Sequence, residues 1–126
     1  MQPYQKKVEK PWGYELILTT DDSPVTGKIL HLKAGSRFSY QYHEQKEEIL
    51  TLVKGQAKII IEGEEFLMQL NFGYHVKPLV KHRVRAISDI DIFEVSTPEK
   101  GKTIRLEDDY QRSDETEEDR QQNRII

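Results

Sequence analysis

A chain of 126 residues, 36% hydrophobic and 33% charged, has material for one buried core but not two, in the balance of a soluble globular domain. It contains no cysteine, which excludes disulfides and thiolate metal sites, and no apolar run approaches the roughly 18 residues needed to cross a bilayer. Of the net charge of −3, residues 107–126 hold eight acidic and three basic side chains, leaving 16 basic against 14 acidic ahead of them; that excludes the concentrated basic face of a nucleic-acid binder and leaves room for a small anionic ligand.

The first seven residues have neither the apolar stretch nor the cleavage site of a secretory signal, so the expected location is cytoplasmic, with no membrane association. Short runs rich in Val, Ile, Leu, Phe and Tyr then recur without a sustained 3.6-residue period, which predicts an all-β body. Strands are expected at 14–18, 27–33, 37–43, 48–54, 57–62, 64–70, 73–77, 82–87 and 91–97. The links between them carry turn chemistry, as in Ala34-Gly35-Ser36, Lys54-Gly55-Gln56, Glu62-Gly63-Glu64 and Asn71-Phe72-Gly73. Many short strands joined by tight turns indicate an antiparallel sandwich or closed barrel. Several runs, notably 48–54 and 58–61, are apolar on both faces, so two packed sheets are expected, part of whose outer surface is covered by a partner subunit or the N-terminal segment. Beyond residue 112 the chain turns polar and acidic; residues 1–112 are expected as one domain and 113–126 as a solvated tail, in which Ser113 could cap a short helix.

One grouping has ligand spacing. Period-two alternation places Gln41 and His43 on one strand face, a short loop lets Glu48 open the adjacent antiparallel strand, and His82 opens a later strand that closes the cup. Two imidazoles, a carboxylate and an amide oxygen suit one divalent ion, Zn foremost, with Fe, Mn, Ni or Co as alternatives. The competing reading puts Phe38, Tyr40 and Tyr42, on the opposite face, into the core and turns Gln41 and His43 to water. His31 and His75 have no ligand-spaced partner and read as strand or surface histidines, and Trp12, between Pro11 and Gly13, as packing under the sheet.

The run from Gly35 through Gln41 and His43 to Gly55 resembles the first motif of the cupins, and 78–86, with His82, resembles the second. Lys10-Pro11-Trp12-Gly13, Ser39-x-Gln41-x-His43-x-x-Lys46-x-Glu48, His82-Arg83, Glu94-Val95 and the block 107–112 together resemble the C-terminal cupin domain of type II mannose-6-phosphate (phosphomannose) isomerases. That resemblance implies a double-stranded β-helix, or jelly-roll barrel, a metal site of Gln41, His43, Glu48 and His82, and a homodimer.

The expected function is therefore a metal-binding cupin acting on a small carbohydrate, a phosphorylated, nucleotide-linked or otherwise acidic sugar, as an isomerase. The metal would serve as Lewis acid while Glu94 and Lys46 shuttle the proton. Arg37, Lys46 and Arg83 are the expected anion contacts, with alternation favouring Arg37, on the face of Gln41 and His43, over Arg83. The alternatives are a non-catalytic carbohydrate-binding or sensory cupin and a non-haem iron dioxygenase, the latter because two histidines and a carboxylate form a facial triad.

Overall fold

The computed structural model describes residues 1–120. Its strands are β1 (Lys6–Lys10), β2 (Gly13–Ile17), β3 (Thr26–Leu32), β4 (Tyr40–His43), β5 (Glu48–Lys54), β6 (Ala57–Ile61), β7 (Glu64–Leu67), β8 (Gly73–Val76), β9 (His82–Ala86), β10 (Ile90–Ser96) and β11 (Thr103–Glu107). They form a six-stranded sheet in the order β1-β2-β3-β10-β5-β8 facing a five-stranded sheet in the order β11-β4-β9-β6-β7, with every pairing antiparallel. The nine runs read from the sequence all hold strands. β1 and β11 were not foreseen, because Lys6–Lys10 and Thr103–Glu107 carry too few apolar residues to signal a strand and owe their extension to pairing with β2 and β4.

Alternation along β2, β3, β5 and β10 drives one residue in two between the sheets. The inward set changes character along each strand. At one end Leu30, Leu32, Leu50, Leu52, Ile90 and Ile92 pack with Ala57, Ile59, Val84 and Ala86 of the opposite sheet into the apolar core. Each such Leu or Ile contributes about 1.5–3 kcal/mol on full burial. At the other end the same inward phase delivers Glu15, Lys28, Glu48, Glu94 and Ser96, all buried. The sandwich is thus apolar at one end and ionic at the other.

Two local features aim this ionic end. Gly13 packs so close to β3 that a Cβ there would lie 1.9 Å from the carbonyl oxygen of His31, so only glycine lets β2 swing Trp12 inward. The second feature is a bulge before β4. Arg37 pairs with Arg85 and Gln41 with His82, so four steps on one strand oppose three on the other. Arg83 donates from Nε to the carbonyl of Phe38 at 2.8 Å within this irregularity. Phe38 and Gln41 consequently both border the interior, and Arg37 does not share their face.

The segment after β11 packs back against the sheet. Glu115 exchanges two backbone hydrogen bonds with Thr103, at 2.9 and 3.0 Å. Helical backbone begins at Glu117 and runs to the last described residue, and its cap is Thr116 rather than Ser113: the Thr116 hydroxyl accepts from the amide of Asp119 while the Asp119 carboxylate accepts from the amide of Thr116. Residues 121–126 of the expected tail lie outside the described residues. No helix among the described residues is long and apolar enough to cross a membrane.

Candidate metal and ligand site

His43, Glu48 and His82 meet at the ionic end, with one candidate ligand atom from each within 4.8 Å of the others. The two histidines come from β4 and β9 of one sheet, but β5, which brings Glu48, belongs to the other. Glu48 therefore does not open a strand adjacent to β4, as the sequence spacing suggested. Residues 44–47 carry the chain across the sandwich, and the carboxylate faces the imidazoles from the opposite layer.

Each imidazole is oriented through its far nitrogen. His43 Nδ1 lies 2.9 Å from the Thr103 hydroxyl and His82 Nδ1 lies 2.9 Å from the carbonyl of Val80. Both Nε2 atoms then point at Glu48 Oε1, at 3.5 Å from His43 and 2.9 Å from His82. His43 Nε2 is buried without a hydrogen bond, which a buried polar atom does not normally tolerate. Fixed outer nitrogens with converging inner ones are what a first-row divalent ion requires of histidine ligands, so these three residues fit such an ion. Gln41 borders the same cavity, where its Oε1 accepts from the Ser39 hydroxyl at 2.6 Å.

Lys46, from the crossing segment, is the ionic centre. Its Nζ lies 3.2 Å from Glu48, 3.0 Å from Glu94 and 3.1 Å from Glu99. Burial alone would lower the ammonium's pKa, but the three carboxylates hold it well above the usual lysine value. Lys28 lies 2.6 Å from Glu99 and 3.5 Å from Glu15. Burial tends to raise Glu48, yet Lys46 and then the two histidines keep it well below the carboxylate range. Burial likewise lowers His43, with Lys46 adding to it; in His82 the contact with Glu48 reverses the effect of burial and the pKa rises. Glu94 differs from its neighbours. Burial pushes it up to about 7 against the pull of Lys46, with Glu48 adding to the rise. Its Oε2, although close to Lys46, makes no directed hydrogen bond.

These groups line a cavity of about 100 Å³, walled also by Trp12 and Phe38, whose rings meet edge to face at 4.8 Å. Of the anion contacts expected from the sequence, Lys46 lines it. Arg37 and Arg83 do not: Arg37 forms a paired contact with Asp109, at 2.7 Å from both Nε and a terminal nitrogen, and Arg83 is buried against Phe38. His31 and His75 stand apart, against Asp91 at 2.7 Å and Glu47 at 2.5 Å.

Sequence reasoning missed Glu15, Lys28, Glu99, Thr103, Arg105, Glu115 and Arg120, which also border the cavity. A signal existed for Lys28, since Thr26, Lys28, Leu30 and Leu32 share one phase and a lysine in a buried phase marks a paired interior charge. None existed for Glu115 and Arg120, which reach the cavity only because the chain folds back after β11.

Among known proteins, residues 2–115 match the family described as the mannose-6-phosphate isomerase C-terminal domain. The polyketide synthase CurC of Streptomyces cyaneus is 29% identical over 58 residues, which span 46% of this chain and 38% of that protein. The fold is similar to that of KdgF from Halomonas sp., with TM-score 0.66 and 18% identity over 75% of this chain and 86% of that one. It is also similar to salicylate 1,2-dioxygenase of Pseudoaminobacter salicylatoxidans, with TM-score 0.64 and 17% identity over 70% of this chain and 25% of that one. At such identities the structural likenesses speak for the fold alone. With its facing antiparallel sheets, its His/Glu cluster and a family match over residues 2–115, the chain is a cupin belonging to the mannose-6-phosphate isomerase C-terminal family.

Proposed function

We propose that this protein is a metal-dependent isomerase of an anionic sugar. The observation that carries the reading is one buried cluster holding two converging imidazoles, Glu48, and a carboxyl at Glu94 raised to about 7 one ammonium away. His43, Glu48 and His82 would hold the ion, with Gln41 as fourth ligand once its amide turns from Ser39. A divalent ion held there, Zn foremost, would supply Lewis acidity to an open-chain sugar. Glu94 has the affinity to take and return a proton near neutral pH, moving it between neighbouring carbons through Oε2. Lys46 stays protonated and donates hydrogen bonds to the oxygen that gains charge. In this reading the protein works as a homodimer.

The test is metal analysis of the purified protein followed by a screen of aldose and ketose phosphates and uronates. We expect close to one first-row divalent ion per chain, most of it lost in His82→Ala. Glu94→Gln should keep the metal and lose roughly 10²–10⁴-fold in turnover, the usual contribution of a positioned base. If the double variant His43→Ala/His82→Ala retained its metal, the ligand assignment would be wrong.

A second reading, as an oxygenase, rests on the same two histidines and one carboxylate, a set that also suits non-haem iron. Substrate-dependent oxygen uptake by the iron-loaded protein, without isomerisation, would favour it.

A further inference from the structure

Glu99 belongs to no strand, yet its carboxylate sits in the densest positive environment of the interior. Oε1 accepts from Lys28 Nζ at 2.6 Å and Lys46 Nζ at 3.1 Å, and Oε2 faces Arg120 Nε at 3.2 Å. Lys28 comes from β3, Lys46 from the crossing segment and Arg120 from the terminal turn, so three separate parts of the chain converge on one carboxylate. Lys46 simultaneously touches Glu48 at 3.2 Å, which puts the cradle one side chain away from the His/Glu cluster.

The segment bearing Glu99 is held by side chains rather than by backbone pairing. Among the described residues, 98–101 make no backbone–backbone hydrogen bond. Gly101 is held through side chains: its amide donates to Glu117 at 2.8 Å and its carbonyl accepts from Arg120. The cavity beneath, at about 100 Å³, is well below the roughly 300–1,000 Å³ of small-molecule sites. Of residues 98–101, Glu99 lines this cavity.

We propose that Lys28, Lys46 and Arg120 form the receptor for a ligand carboxylate, and that Glu99 is the chain's own occupant of that receptor, displaced when the ligand arrives. This deepens the reading of the cavity as a ligand site and rests on it. The favoured ligand is a sugar acid bearing a single carboxylate rather than a phosphate. Lys28 is also paired with Glu15, Lys46 with Glu48 and Glu94, and Arg120 with Glu115. Exchanging one carboxylate for another preserves that balance, whereas a phosphate brings a charge of about −1.5 to −2 into a cluster already rich in carboxylates. Displacement also frees residues 98–101 to move outward, enlarging the cavity in the same step.

The test uses Glu99→Gln and the unaltered chain, each in metal-free and Zn-loaded form, with acetate, D-glucuronate, D-glucose, inorganic phosphate and chloride at matched ionic strength. Acetate should raise the melting temperature of Glu99→Gln by several degrees more than chloride or phosphate does, and should leave the unaltered chain nearly unmoved. Glu99→Gln should bind glucuronate at least tenfold more tightly than the unaltered chain, with glucose unchanged. Equal responses to acetate and chloride, or no gain in glucuronate affinity, would overturn the proposal. If Glu99→Gln does not fold, amide exchange on the unaltered chain decides: saturating glucuronate should speed exchange in residues 97–102 severalfold, and unchanged or slower exchange, or no binding, rejects displacement. Carboxylate rescue in metal-free protein would stand even if the metal assignment failed, while metal retention without rescue rejects this proposal alone.

Discussion

Arg37 and Asp109 form the best-aligned ion pair on the outer surface, with both bonds at 2.7 Å. The bond from Arg37 holds the Asp109 carboxyl below its ordinary range. A carboxyl with a lowered folded value binds fewer protons folded than unfolded, so its contribution is fully present above the ordinary aspartate value of about 3.9 and is lost as pH falls through the lowered one. Both side chains are more than one-third exposed, which limits the pair to about 0.5–1 kcal/mol after screening. Urea denaturation of Arg37→Ala against the unaltered chain should show that difference at pH 7 and see it shrink below pH 4. Because Arg37 does not line the cavity, the same variant should leave ligand affinity within twofold, by calorimetric titration.

At the scale of elements, the bulge between Arg37 and Gln41 decides which side chains face the interior, and Arg83 bonds the Phe38 carbonyl within it. Arg83→Met keeps the bulk and loses the bonds to Phe38 and Glu107, leaving the buried Phe38 carbonyl short of a donor. The expected cost is about 1–3 kcal/mol by denaturant titration, with metal affinity falling as Gln41 and His43 lose their aim. Strand identity here was legible, since apolar runs and turn residues marked all nine of the runs foreseen. The bulge was not: an inserted residue leaves no trace in an alternating pattern, and extrapolating period two from His43 back to Arg37 put the guanidinium on the wrong face. His43, Glu48 and His82 could be gathered from spacing and resemblance. The crossing between sheets at 44–47 and the return of Glu115 and Arg120 depend on tertiary packing that local pattern does not encode.

Across the whole molecule, the outer face of the six-stranded sheet is unusually apolar. Leu16 lies beside Ile29 and Ile29 beside Phe93, and two residues further along β10 Val95 lies beside Ile49, with Ile49, Val53, Phe93 and Val95 all exposed. Such contiguous patches mark association surfaces, and a standard interface would cover roughly 800 Å² of each partner. Light scattering at micromolar concentration should report a homodimer, and Phe93→Glu with Val95→Lys should give a folded monomer that keeps its metal. A monomeric unaltered chain would count against that assembly.

The division of each central strand into an apolar half and an ionic half has a consequence for how the chain opens. Nonpolar burial around Leu32, Leu52, Ile90 and Ile92 needs no ligand, whereas the half around Lys28, Glu48 and Glu94 is held by mutual charge pairing. The same strand should then unzip from one end, as separate cooperative units of unequal free energy. Native-state hydrogen exchange read by NMR should grade along β3 and β10, with amides near Leu32 and Ile90 exchanging only through global unfolding. Those near Lys28 and Ser96 should exchange through a cheaper partial opening, which added zinc would close. A uniform rate along both strands would mean that the two halves melt as one.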